Sequence, residues 1–150
     1  MNRVWKPNVT VAALIEDAGR FLLVEEETED GLRFNQPAGH LDEGESLVAA
    51  CAREALEETA WRFTPNALVG VYQWPRPQGD ITYLRFAFSG ELGAHEPGRE
   101  LDTGILRAVW MTPDEIRATA ERHRSPLVWQ CVSDYLARRR YPLELIRHYD

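Results

Sequence analysis

Three glutamates, Glu54, Glu57 and Glu58, stand at positions i, i+3 and i+4 of a stretch with helical spacing. At about 100° per residue, their side chains fall within about 100° of each other on one helix face. Val48, Ala52, Ala55, Leu56 and Thr59 gather on the opposite face. The pattern predicts a helix that buries one side and keeps its acids outside the core. Like charges at this spacing repel and destabilise a helix by roughly 0.2–0.5 kcal/mol per pair. A hard divalent cation with oxygen ligands would compensate, Mg²⁺ first and Mn²⁺ as the alternative. Such a cation usually shares its coordination with the phosphates of a substrate. Holding a metal ion that could share its shell with a phosphorylated ligand is the chemistry these acids suggest.

Around the three acids lie Gly39, Glu45 and Arg53. Together the six residues fit the spacing Gly-x5-Glu-x7-Arg-Glu-U-x-Glu-Glu-x-Gly-U, where U is a bulky apolar residue. With residue frequencies of roughly 7% each, six fixed matches arise by chance about once in ten million windows. The segment from Gly39 to Trp61 thus resembles the Nudix box of the Nudix hydrolases. It departs from the pattern at Ala60, where the family has glycine, and at Ala55, a small residue at the first U position. The departure at Ala60 leaves the acids untouched but bears on how the helix ends, because a left-handed residue there costs about 1–2 kcal/mol without glycine.

The resemblance implies an α/β/α sandwich around a mixed sheet, with the box as loop-helix-loop. It implies that Glu54, Glu57, Glu58 and the carbonyl of Gly39 hold the metal, and that Glu45 and Arg53 brace the loop. Beyond the box, Asn35–Leu41, Gln73-Trp74, Leu84–Phe86, Arg124–Val128 and Tyr141–Glu144 resemble one branch of the family. That likeness runs over nearly all 150 residues. It implies release of orthophosphate from nucleoside tri- and diphosphates, and action on the diphosphate of the thiamin pyrimidine precursor. A pyrophosphatase for nucleotide sugars or oxidised nucleotides is the alternative enzyme. A silent domain that only binds a ligand is the non-enzymatic alternative, and the complete acid set counts against it.

The elements that must position these residues read as alternating strands and helices, a layered α/β domain spanning residues 1–150. Strands are predicted at Asn8–Glu16, Arg20–Glu26, Arg33–Gln36, Asn66–Trp74, Ile81–Leu92 and Ile105–Met111, with a turn at Asp17-Ala18-Gly19. Ser46 is the expected N-cap of the box helix. Thr112-Pro113-Asp114-Glu115 reads as a capping box opening a helix to about Arg122, and Leu127 opens another to about Arg139.

Several residues outside the box carry two readings. His40 is either a packed loop histidine or a contact to phosphate or water. Arg85, on a strand among apolar residues, is either a substrate-phosphate ligand or a solvated or ion-paired side chain. Gln36, Gln73, Trp74 and Tyr83 either hold a ring by stacking and hydrogen bonds or belong to the core. The acidic loop from Gly93 to Gly104 offers Glu96, Glu100 and Asp102. By resemblance, an acid from such a loop joins the metal site or acts as base. Glu100 and then Asp102 are favoured, being nearest the strand that follows, and a solvated loop is the alternative.

Composition narrows the class. A net charge of −7 with no basic stripe argues against a nucleic acid polymer as partner, though metal ions would admit a small phosphorylated substrate. Cys51 and Cys131 lack a Cys-x-x-Cys spacing and read as reduced structural thiols, which fits the cytoplasm. The N-terminal stretch from Met1 lacks an apolar run, and no window approaches 18 apolar residues, so neither secretion nor membrane insertion is expected. A monomer is the expectation, with a dimer as the alternative.

Overall fold

The computed structural model describes residues 3–150. Met1 and Asn2, which open the stretch read above for a leader, lie outside the described residues. A four-stranded sheet has the order β5-β1-β7-β6, formed by Ala38–His40 (β5), Asn8–Leu14 (β1), Thr82–His95 (β7) and Trp61–Pro75 (β6). β1 runs parallel to β7, whereas β5 pairs antiparallel with β1 and β6 with β7. In a second, antiparallel sheet, Arg20–Thr28 (β3) pairs with Glu16–Asp17 (β2), Gly31–Asn35 (β4) and Ile105–Met111 (β8).

Alternation along β1 shows how the layers stack. Ala12 and Leu14 face one apolar cluster with Ile116 of helix α2 (Pro113–Ala118) and Cys131 and Val132 of α3 (Leu127–Leu136). Val11, Ala13 and Ile15 face another with Ala50, Cys51 and Ala55 of α1 (Leu47–Thr59). Sheet residues buried on both faces need helices on both, and the result is the expected mixed α/β sandwich. Among the described residues, no helix is long and apolar enough to cross a membrane.

Several boundaries differ from those read in the sequence. The first strand stops at Leu14 and resumes as β2, because the hairpin turn at Ala18 and Gly19 draws Asp17 against Arg20. β6 begins at Trp61 rather than Asn66. Pro65 lies where its pairing with β7 shifts register, and such an irregularity tolerates the missing N–H. β7 runs on to His95, taking the first three residues of the acidic loop into the sheet. α2 ends at Ala118 and gives way to a short 3₁₀ turn over Ala120–Arg122. α3 ends before Arg138, whose φ of 65° cannot continue a helix.

Candidate active site

α1 is capped where the sequence places its start. Ser46 is extended, and its hydroxyl accepts from the Ala49 N–H at 3.0 Å. The buried stripe, however, is Ala50, Cys51, Glu54, Ala55, Glu58 and Thr59. Glu54 and Glu58 are each 8% exposed, so two of the three acids sit at the margin of the core rather than outside it. The helix lies flat on the first sheet, and the edge of its buried stripe opens onto a cleft instead of bulk water.

The helix ends at Ala60 with φ 64° and ψ 16°, the left-handed conformation in question at that position. Beyond it the acidic loop returns to the helix end. The Glu96 N–H donates to the carbonyl of Ala60 at 2.8 Å, and the Asp102 N–H to that of Glu57 at 3.0 Å. These bonds satisfy carbonyls that a helix terminus leaves open. They also bring Asp102 to α1: ligand oxygens of Glu54, Glu57 and Asp102 all lie within 4.8 Å of one another. Glu100, favoured in the sequence, is exposed and not part of this group. Nothing in the spacing of the loop distinguishes the two acids; the backbone bond to Glu57 does.

Arg53 ties the box together. Its Nε and Nη2 donate to the two oxygens of Glu45 at 2.7 and 2.9 Å, and Nη1 to Glu54 at 2.8 Å and Glu57 at 3.3 Å. Nη2 also donates to the His40 carbonyl at 3.1 Å, joining helix to β5. One guanidinium thus holds three box carboxylates in place. Gly39 explains itself by contact: a Cβ there would stand 2.2 Å from Cδ of Glu54. Only glycine lets that carboxylate lie against the strand.

The charges are incompletely offset. Burial, with Glu57 and Asp102 nearby, pushes the Glu54 carboxyl up to about 7 despite Arg53. Burial likewise pushes Glu58 up to about 9, with Glu54, Glu26 and Asp102 adding to it. The Glu58 Oε1 accepts one backbone bond, from the Ala38 N–H at 3.0 Å. Glu54 shares one guanidinium with Glu45 and Glu57, and Glu58 has no arginine or lysine partner among the described residues, so negative charge is in excess here.

A cleft of about 1350 Å³ runs from these acids between the two sheets. His40, Trp74, Tyr83 and Arg85 line it, as does Glu26. Trp74 and Tyr83 stack with centroids 6.1 Å apart and rings 15° from parallel. Gln73 points away, because side chains alternate along β6, and it is exposed outside the cleft. Gln36 is 1% exposed and faces inward. Its Nε2 donates to the Val128 carbonyl at 2.7 Å, and its Oε1 accepts from Arg85 Nη1 at 2.9 Å. It supports Arg85 rather than the cleft surface. Arg85 itself is neither solvated nor ion-paired among the described residues: it is 6% exposed, with neutral partners only.

A family model described as the NUDIX domain matches residues 5–130. The chain belongs to the Nudix hydrolases. It is 41% identical over 143 residues to the phosphatase NudJ of Escherichia coli strain K12, covering 95% of this chain and 92% of that one. A solved NUDIX hydrolase from Nitrosomonas europaea is 53% identical with a TM-score of 0.93, covering 96% of this chain and 98% of the other. A bifunctional NMN adenylyltransferase/ADP ribose pyrophosphatase from Francisella tularensis, solved with AMP and a Mn ion, is 19% identical with a TM-score of 0.67. It matches 89% of this chain with 42% of its own, and at that identity it speaks for the fold alone.

In this Nudix hydrolase the cleft also holds Glu26, which the sequence does not single out. Glu26 pairs loosely with Arg124 at 3.9 Å, and burial pushes its carboxyl up. The sequence carries a hint in Glu25-Glu26-Glu27, acids that end an apolar strand. Alternation sends Glu26 toward Glu58 and Glu25 to the other face, where arginines receive it.

Proposed function

We propose that this Nudix phosphohydrolase releases orthophosphate from nucleoside tri- and diphosphates and from related small diphosphates, including that of the thiamin pyrimidine precursor. The observation that carries the reading is the convergence of Glu54, Glu57 and Asp102 within 4.8 Å, next to a cleft that Glu54 and Glu58 line. The likeness to NudJ over 95% of the chain supports the orthophosphate product. Nudix hydrolases generally use divalent metals, and these oxygen donors suit Mg²⁺, with Mn²⁺ as the alternative. Glu54, Glu57, Glu58, Asp102 and the Gly39 carbonyl would hold the cation. Bound there, it supplies Lewis-acid chemistry, polarising a phosphoryl oxygen and acidifying water. In this reading Asp102, the most exposed of the acids, takes the proton of the attacking water. His40, Trp74 and Arg85 contact the substrate, Gln36 orients Arg85, and Glu45 and Arg53 keep the box rigid. The free, buried thiols of Cys51 and Cys131 support a cytoplasmic setting.

The test is a panel of nucleotides and small diphosphates with Mg²⁺ or with chelator, products separated by ion chromatography. Metal-dependent orthophosphate is expected. Stoichiometric pyrophosphate and monophosphate would move the chain to the pyrophosphatase reading. No metal-dependent release from any substrate would favour a silent binding domain.

A further inference from the structure

Arg85 is a buried cation whose hydrogen-bond partners among the described residues are all neutral. A guanidinium has five N–H donors. Nη1 donates to Gln36 Oε1 at 2.9 Å and approaches Cys131 Sγ at 3.8 Å, and Nη2 donates to Asn35 Oδ1 at 2.9 Å. Nε–H and one Nη2–H are left without an acceptor among the described residues. The Nε/Nη2 edge of a guanidinium is one that matches two oxygens of a phosphate. The edge is held in place from behind, since Gln36 is itself anchored to the carbonyl of Val128. Glu26, the nearby acid, lies 3.9 Å from Arg124 and feels the charge of both arginines, but it is not hydrogen-bonded to Arg85.

The sheet register gives the distances along the cleft. His40 on β5 stands opposite Thr10 on β1, and Thr10 opposite Arg85 on β7. Arg85 is therefore two strand spacings, about 10 Å, in from the edge strand against which the Glu54 carboxylate lies. On the far side, Tyr83 precedes Arg85 by two residues on the same strand face and stacks with Trp74. The order is carboxylates, arginine edge, aromatic pair. That separation suits a short phosphate chain ending in a ring.

We propose that Arg85 selects which phosphoanhydride is cut. It grips the phosphate next to the ring-bearing end, so that only the terminal phosphoryl reaches the carboxylates. The proposal rests on the reading of the chain as a nucleotide hydrolase and names the residue that fixes its product. In the step, a water oxygen bonds to the terminal phosphorus as the bridging P–O bond breaks. The electron pair stays with the bridging oxygen, now on the β phosphate of the nucleoside diphosphate whose α phosphate Arg85 holds, and the water's proton passes to a carboxylate. Nucleoside triphosphate and water become nucleoside diphosphate and orthophosphate.

The experiment is product analysis of the full chain with GTP and Mg²⁺, comparing wild type with Arg85→Gln and Arg85→Lys. Arg85→Gln should raise KM by roughly ten- to hundredfold, the worth of a charge-assisted pair of bonds, and should yield pyrophosphate and GMP beside orthophosphate. Arg85→Lys, which keeps the charge but loses the edge, should fall between in both readouts. A purely structural role would lower kcat and leave the ratio of orthophosphate to pyrophosphate unchanged, and that result overturns the proposal. Wild type tests it as well, should the variants not fold. The β,γ-methylene analogue of GTP should resist cleavage while the α,β-methylene analogue loses its terminal phosphate. Cutting of the β,γ-methylene analogue between its α and β phosphates, as fast as GTP, overturns the role of Arg85. Wild type that gives no orthophosphate from any nucleotide overturns the functional reading itself.

Discussion

Glu25 on β3 and Glu58 on α1 are side chains of one type, 5% and 8% exposed, in opposite surroundings. Glu25 accepts from Arg107 Nε at 2.8 Å and pairs through its other oxygen with Arg122, and these bonds hold its carboxyl below the ordinary range. Glu58 has one backbone N–H and a neighbourhood of further carboxylates, and sits at about 9. A buried acid with its arginines in place is a piece of architecture. A buried acid that the chain leaves uncompensated is costly unless an external cation completes it. The two acids therefore separate what holds this protein together from what it works with, and that separation can be tested residue by residue.

The sharpest test exchanges the two kinds of acid for amides. Glu57→Gln and Glu58→Gln should each lower turnover by several powers of ten with the fold intact, since each removes a proposed metal ligand. Glu25→Gln should leave turnover within about threefold but lower unfolding free energy by roughly 1–3 kcal/mol, the worth of hydrogen bonds to a charged group whose arginine partners are half-exposed. Circular dichroism melts alongside steady-state kinetics separate the outcomes. Near-normal turnover in either α1 variant would mean that the metal site lies elsewhere.

The next largest effect distinguishes two acids of one loop. Asp102→Asn should cut turnover about 10²–10⁴-fold, as loss of a ligand or of the base, whereas Glu100→Gln should behave as wild type. Equal behaviour of the two variants would show that the bond from the Asp102 N–H to the Glu57 carbonyl is a helix cap and nothing more.

That pair also marks how far the sequence could be read. The box, the Ser46 cap and the Thr112–Glu115 capping box were legible because each depends on a few neighbouring residues, and all three are present. Asp102 was legible only as a member of an acidic loop, because the backbone bond that selects it spans 45 residues of chain. For Gln36 the sequence leaves a ring contact and a core position open, because nothing local reveals that Val128 holds it from behind. Gln73 was grouped with Trp74 although adjacent strand residues point to opposite faces. Glu26 went unread because its neighbour Glu58 comes from another layer of the sandwich.

The contrast between the acids also predicts a pH dependence with a definite sign. Glu54 and Glu58 titrate higher in the folded chain than their ordinary value of 4.5, so folding favours their protonated forms. Their contribution to stability is full below that value and is lost as pH rises through about 7 and about 9. Glu25 runs the other way: its contribution is present above 4.5 and lost as pH falls through its lowered value. Urea midpoints measured with chelator should therefore peak near pH 4.5 and decline toward pH 9. Glu58→Gln should flatten the upper decline, Glu25→Gln the lower one, and added Mg²⁺ should raise the midpoint most at the alkaline end. A wild-type midpoint that stays level from about pH 6 to 9 would show that the α1 acids are already compensated within the fold.

The smallest effect belongs to Ala60, which joins the acid-bearing helix to β6. Its φ of 64° is the conformation that favours glycine, and two contacts hold it there. Its N–H donates to the Leu56 carbonyl at 2.9 Å and its own carbonyl accepts from Glu96. Immediately afterwards Trp61 stacks on His95 with centroids 4.6 Å apart, so the chain has no freedom to relax residue 60 into a right-handed turn. Ala60→Gly removes a left-handed penalty of about 1–2 kcal/mol. Against that stand the loss of a buried methyl, about 0.8 kcal/mol, and the greater freedom of glycine in the unfolded chain. These terms leave a net gain of at most about 0.8 kcal/mol in unfolding free energy, read as a denaturation midpoint that holds or rises, with turnover unchanged. A midpoint that falls would mean that packing of the Ala60 methyl, not backbone strain, decides the helix end. The acids of α1 would then owe their placement to that contact as well as to Arg53.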